Sequence, residues 1–308
     1  MPNKISDRIR KYKHKDCLNC QIIPCIDFYY RDEKGSCYGE LVALREYHNE
    51  KLYPPCHLGG LIYVFCKFVS TILSALKLPG GILHIQCVRD LKTIAFLILT
   101  GHYRIALSAL RGVIEMFLAG MYFDKKYLNA LEEGKTSIDE VQNMIIQFVE
   151  GKFEVPEKDL QIVDVRKKKL DYGLLLEWHH KMKYIDGKTK NHLQNIIGKL
   201  NRFIHGELLE TIKPECPKCP AMVKLSRKEY EEAAQYFQEV VTILLFIMVK
   251  QYIKPYKIID EEVFGCSEIF TILENLEREL GTKMIFSNVF RKLGKKIIED
   301  LKALHGNT

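Results

Sequence analysis

"HYRIALSALRGVIEMFLAGMYF", residues 102–123, is the stretch that decides the fold class. It holds no proline, and its polar residues recur at helical spacing. At 3.6 residues per turn, Arg104, Ser108, Arg111 and Glu115 form one narrow stripe. Leu107, Ile114 and Leu118 flank it on one side, Ile105 and Met116 on the other, and Ala106, Leu110, Val113 and Phe117 cover the opposite face. A solvated face would be wider and richer in Lys and Glu. The pattern therefore predicts a largely buried helix whose two arginines and one glutamate meet partners inside the protein. Arg111 and Glu115 stand four apart and can pair with each other, which leaves Arg104 in need of another acceptor or a phosphate. Two readings stay open: an ion-pair seam that holds two helices in register, or a polar pocket with a function.

Outward from this helix the same period continues. An apolar helix is expected over 61–77, stopped by Pro79-Gly80-Gly81, and a second over 82–100, broken by Gly101 from the helix at 102–125. Ser137-x-x-Glu140 is a capping box opening a helix to about 150, and a further helix is expected over 157–184. Another spans 188–210. Ser226-x-x-Glu229 caps a helix to Tyr252 whose second half, from Val240, is apolar all round and so should cross the middle of the core. The fold class is all-α: a helical bundle over 61–255, an irregular Cys-rich N-terminal arm over 1–60, and a short helical extension over 256–308.

Hydrophobic residues make up 47% of the 308 and charged residues 28%, the mixture of a globular chain with a core. The formal charge of +7 is unevenly spread, with basic clusters at 1–15, 166–169, 213–228 and 291–296 that attract phosphate. The N-terminus is charged and lacks an apolar core, so no signal peptide is expected, and the run Val240 to Val249 is shorter than the ~20 residues of a membrane span. Ten cysteines without a secretion signal then suit a reducing compartment, which places the chain in the cytoplasm with no membrane partner.

The second informative stretch is "GKLNRFIHGELLETIKPECPKCP", residues 198–220. Asn201 and His205 share a helix face, with Gly198 before them and Gly206 after, so a backbone or ligand can approach closely. Beside the Arg104–Arg111–Glu115 stripe they suggest a polar pocket between two helices. Cys216-Pro-Lys-Cys219-Pro then has the form of a zinc knuckle, since the turn aims both thiolates at one point. Cys17-x-x-Cys20 has the same spacing and is the expected second half of a structural zinc site. Cys25, Cys37, His14 and His48 are alternative ligands, and two unrelated reduced pairs are the bland reading.

With "YRIALSALRGVIE" followed by "LNRFIHGE" and a long apolar closing helix, residues 82–253 resemble the HEPN superfamily of helical-bundle proteins. The resemblance implies a bundle that commonly forms a homodimer and associates with RNA, in catalytic and non-catalytic versions. The family signature is an Arg, often followed by a polar residue, with four to six residues between that Arg and a His. His205 matches the His and Asn201 the polar residue. The Arg would fall at Leu200; Lys199 keeps the spacing as the basic substitute, and Arg202 stands nearer to His205. Metal-independent cleavage by an endoribonuclease of this type needs a proton-handling His and a cation near the developing phosphorane charge. Arg104 or Arg111 would have to supply that cation from the facing helix. Three expectations follow: binding of structured RNA, in a stress, defence or ribosome-associated role; a non-catalytic dimerising scaffold; and, last, a nucleotide binder with phosphate on Arg104 and Arg111, which no Gly-rich loop supports.

Overall fold

The computed structural model describes residues 56–99, 101–134, 138–163, 169–204 and 227–253. Eight α-helices lie within them: α1 (Cys56–Leu76), α2 (Gly81–Leu99), α3 (Tyr103–Glu132), α4 (Ile138–Val149), α5 (Glu157–Val163), α6 (Tyr172–Lys181), α7 (Gly187–Ile204) and α8 (Arg227–Met248). A π-helical turn, Val249–Ile253, continues α8. The described residues contain no strand, only an isolated bridge between Glu154 and Lys169. The chain is all-α, as the periodicity requires. Of the irregular arm expected over 1–60, residues 56–60 are instead the start of α1, and 1–55, the extension over 256–308, His205 and the cysteines of both Cys-x-x-Cys pairs lie outside the described residues.

Helix α3 is the centre of the bundle, packed against α2, α6, α7 and α8, while α1 closes the far side against α2 and α8. Residues Val240 to Val249 are all buried, so the apolar half of α8 does cross the core. α3 and the stretch Lys228–Tyr252 are both long and apolar enough to cross a membrane. In each the apolar window is mostly covered by the bundle itself, 61% and 83% respectively.

Helix boundaries follow local chemistry. Gly101, at φ 80°, ends α2: its N–H donates to Ile98 and that of His102 to Leu97, closing the last turn as a left-handed residue allows. α3 runs on to Glu132, past the expected end at 125, because Tyr127 and Leu128 still pack on the core. The single helix expected over 157–184 is instead two, α5 and α6. Asp171 is extended and its carboxylate accepts the Leu174 N–H at 3.0 Å, an N-cap that starts a new helix.

The bundle is pinned by two sealed carboxylates on α3 and α5. Asp124, fully buried, accepts from Gly80 N–H at 2.7 Å, from the Tyr252 hydroxyl at 2.9 Å and from His84 Nε2 at 3.1 Å. It thereby joins α3, the turn before α2, α2 itself and the π turn. The crossing is so close that a Cβ on Gly80 would stand 2.1 Å from the Gly120 carbonyl. One on Gly120 would stand 2.8 Å from the His84 ring, so both positions require glycine. Asp159 on α5 accepts from the Tyr122 hydroxyl at 2.6 Å, from Lys126 at 2.9 Å and from the Trp178 indole at 3.3 Å.

Candidate functional site

The stripe on α3 and the motif on α7 do face each other. Arg111 Nη1 donates to Asn201 Oδ1 at 2.9 Å, and Arg104 Nε donates to the Phe203 carbonyl at 3.1 Å. Phe203 lies in the last described turn of α7. Arg104 thereby bonds to the backbone of α7 across the seam. The two helices are held in register by one side chain–side chain bond and one side chain–backbone bond.

The seam is not inside the bundle. Arg104 is exposed, and Ser108, Arg111 and Glu115 are half-buried, so the stripe runs along an edge. Among the described residues α7 covers one flank of it and none covers the other, which helical periodicity on α3 alone could not distinguish from full burial. The expected Arg111–Glu115 pair is replaced by the Arg111–Asn201 bond, and Glu115 makes no hydrogen bond or ion pair among the described residues. A guanidinium has five N–H donors, so Arg104 and Arg111 keep donors beyond these two bonds.

On α7, Leu200 is fully buried in the core. The place of the family's Arg therefore faces apolar side chains and can hold no cation aimed at the seam. Lys199 is exposed, but two residues from Asn201 is more than half a turn of helix, so it sits across α7 from the seam. Arg202 is exposed and one residue from Asn201, near Tyr236 of α8, whose ring meets Phe203 edge-on. The cations bonded to α7 at the seam are thus Arg104 and Arg111. Gly198 is open, with nothing within 4 Å of where a Cβ would stand.

Comparison with family models, with curated proteins and with solved structures finds no match to this chain.

Tyr172, at the start of α6, faces the same seam. Its hydroxyl is sealed without a hydrogen-bond partner, and burial pushes its pKa up against the opposing field of Arg111. The polar groups that sequence reading missed lie deeper. His179 of α6 is fully buried, with Nε2 donating to the Leu118 carbonyl at 2.8 Å and Nδ1 left without a partner. Burial, helped by the nearby Lys125, lowers its pKa from 6.5 to about 3, so the ring is neutral at any ordinary pH. Lys125 itself is buried, donates to the Gln251 carbonyl at 3.1 Å and lies over the Tyr184 and Tyr252 rings; desolvation lowers its pKa. The signal for Asp124 was present in "GMYFDKKY": it falls on the same side of α3 as Val113, Phe117 and Gly120, the side that meets α2. These sealed groups have no route to a substrate and act as anchors. Among the described residues no group of three or more His, Cys, Asp or Glu is arranged to hold a metal.

Proposed function

We propose that the chain is a HEPN-like protein that binds structured RNA through the basic edge where α3 meets α7. The observation that carries this reading is the pair Arg104 and Arg111, both partly exposed and both bonded to α7 at or beside Asn201. Fixed, partly exposed guanidiniums offer forked donors to phosphate oxygens at little further ordering entropy. Because Leu200 is a core residue, the reading is binding without efficient cleavage. Were the chain an enzyme, it would be a metal-independent endoribonuclease with His205 handling the proton.

Titration of a fluorescent RNA hairpin into the protein across a salt series tests it. Affinity should fall steeply with salt, and Arg104→Ala and Arg202→Ala should each flatten the log–log slope by about 1 while weakening binding to all sequences alike. His205→Ala should leave affinity nearly unchanged. Affinity that ignores salt, or no RNA binding, overturns the reading; metal-independent cutting abolished by His205→Ala overturns the non-catalytic half of it. A zinc ion on Cys17, Cys20, Cys216 and Cys219 belongs to the same proposal. Elemental analysis should find about one zinc per chain, lost in both Cys17→Ser and Cys216→Ser.

A second reading is favoured by the two bonds themselves. Arg104 bonding to the Phe203 carbonyl and Arg111 holding Asn201 are what a register-setting seam in a non-catalytic scaffold would use. In that case Arg104→Ala and Arg111→Ala change stability and leave RNA affinity alone.

A further inference from the structure

Trp178 is the single tryptophan of the chain, and it meets Tyr122 at one carboxylate. The indole Nε1–H donates to Asp159 Oδ1 at 3.3 Å, and the Tyr122 hydroxyl donates to Asp159 Oδ2 at 2.6 Å. The second length is that of a hydroxyl on a charged carboxylate. The two rings stand edge to face with centroids 4.7 Å apart. Trp178 is 1% exposed, Tyr122 0% and Asp159 2%, and the three come from α6, α3 and α5. Lys126 links the group to solvent: its ammonium lies 3.2 and 2.9 Å from the two carboxylate oxygens, and its side chain is 26% exposed.

An anchor could use any two donors. Here the donors are the two aromatic side chains that lose an electron most readily, one on each oxygen of the same base. A substrate has no route to them, but an electron needs only ring contact and a proton only a hydrogen bond. Burial, and then the facing carboxylate, push the Tyr122 pKa up, so its proton does not leave ahead of an electron. A phenol radical cation would be a bare charge in the same dry surroundings. Electron and proton must therefore leave Tyr122 together, and Asp159 Oδ2 is placed to take the proton.

We propose that Trp178, Tyr122 and Asp159 form an internal one-electron transfer unit, in which Tyr122 reduces an oxidised Trp178 and Asp159 carries the protons between them. A one-electron oxidant of the radical class, or a photon absorbed by the indole, removes an electron from Trp178. The radical cation gives its Nε1 proton to Asp159 Oδ1. Tyr122 then passes one electron to the indolyl radical and its hydroxyl proton to Oδ2, while Oδ1 returns a proton to Nε1. At the end Trp178 is restored, Tyr122 is a neutral phenoxyl radical and Asp159 holds one proton. The direction is downhill because a phenol whose proton is taken up is easier to oxidise than an indole at neutral pH. The phenoxyl lies among Phe123, Phe153 and Trp178, out of reach of a second radical in solution. The unit thus draws oxidising equivalents off the indole and holds them in the core, whatever the chain binds at its surface.

Laser flash photolysis of the full chain, at a wavelength that only indole absorbs, tests it. The tryptophan radical band belongs to Trp178 alone, and the phenoxyl band is followed beside it. In wild type the first should decay as the second rises, at one rate that ignores protein concentration and slows in deuterated water. Tyr122→Phe keeps the ring and should abolish the coupled rise. Asp159→Asn removes the base and should slow the transfer, with circular dichroism confirming that each variant folds. Tyr184→Phe removes another tyrosine ring near Trp178, 5.6 Å away, and should change nothing. A wild-type tryptophan radical that decays with no phenoxyl rise overturns the proposal. So does a rise that survives Tyr122→Phe, is lost in Tyr184→Phe or is indifferent to deuterated water.

Discussion

Asp124 and Arg111 sit on the same helix and both bond across to a neighbour, but they are solved differently. Asp124 is sealed, with both carboxylate oxygens engaged by Gly80, His84 and Tyr252. Arg111 is half-exposed, makes one bond to Asn201 and keeps donors to spare. A charge that leaves water must have its lone pairs met by the protein, so it becomes an anchor. A charge left at the edge can meet water, a phosphate or a second chain at little loss. The C-terminal half of α3 therefore holds the fold together, and its N-terminal half is the part available for function.

The difference is sharpest in stability. Asp124→Ala leaves an imidazole, a hydroxyl and a backbone N–H without an acceptor in a dry core, and should destabilise by about 3–5 kcal/mol in urea unfolding. A loss below about 1 kcal/mol would mean that water or relaxation reaches the site, and the contrast with Arg111 would collapse.

Acid should expose the next largest effect. His179 stays neutral in the folded chain down to about pH 3, whereas the unfolded chain takes up a proton below 6.5. The stability it contributes is fully present above pH 6.5 and is lost as pH falls from there towards 3, by at most about 1.4 kcal/mol per pH unit. His179→Gln keeps a donor for the Leu118 carbonyl and should lose this slope. Equal acid slopes in wild type and variant would show that solvent reaches the ring.

Smaller contrasts follow on the same helix. Gly120→Ala forces a methyl to within 2.8 Å of the His84 ring and should destabilise by about 1–3 kcal/mol. Arg111→Ala, which removes one half-exposed hydrogen bond, should lose only about 1 kcal/mol, visible as a small shift of the urea midpoint. If it matches Asp124→Ala, the edge is as closed as the core. Gly112→Ala should act with the opposite sign, raising the melting temperature of dilute protein through about 0.5–1 kcal/mol of helix propensity.

The sequence by itself determined most of the helices and their order, though it merged α5 and α6 into one. Apolar residues at helical spacing specify α1 to α4 and the core-crossing half of α8, because burial of one face is a local pattern written along the chain. It also located the seam, since two arginines at helical spacing on α3 and an Asn on α7 are each visible as exceptions to such a pattern. It misjudged the seam's depth. Whether Arg104 is inside or at an edge depends on how much of its flank α7 covers, and that is set by how the two helices cross. Only the tertiary structure decided that Leu200 belongs to the core, that Arg111 bonds to Asn201 rather than Glu115, and that Asp171 ends one expected helix by capping another. The Asp124 anchor shows the reason most plainly. Gly80 with His84, Asp124 and Tyr252 come from three separate places in the chain, and what each does is defined by the others.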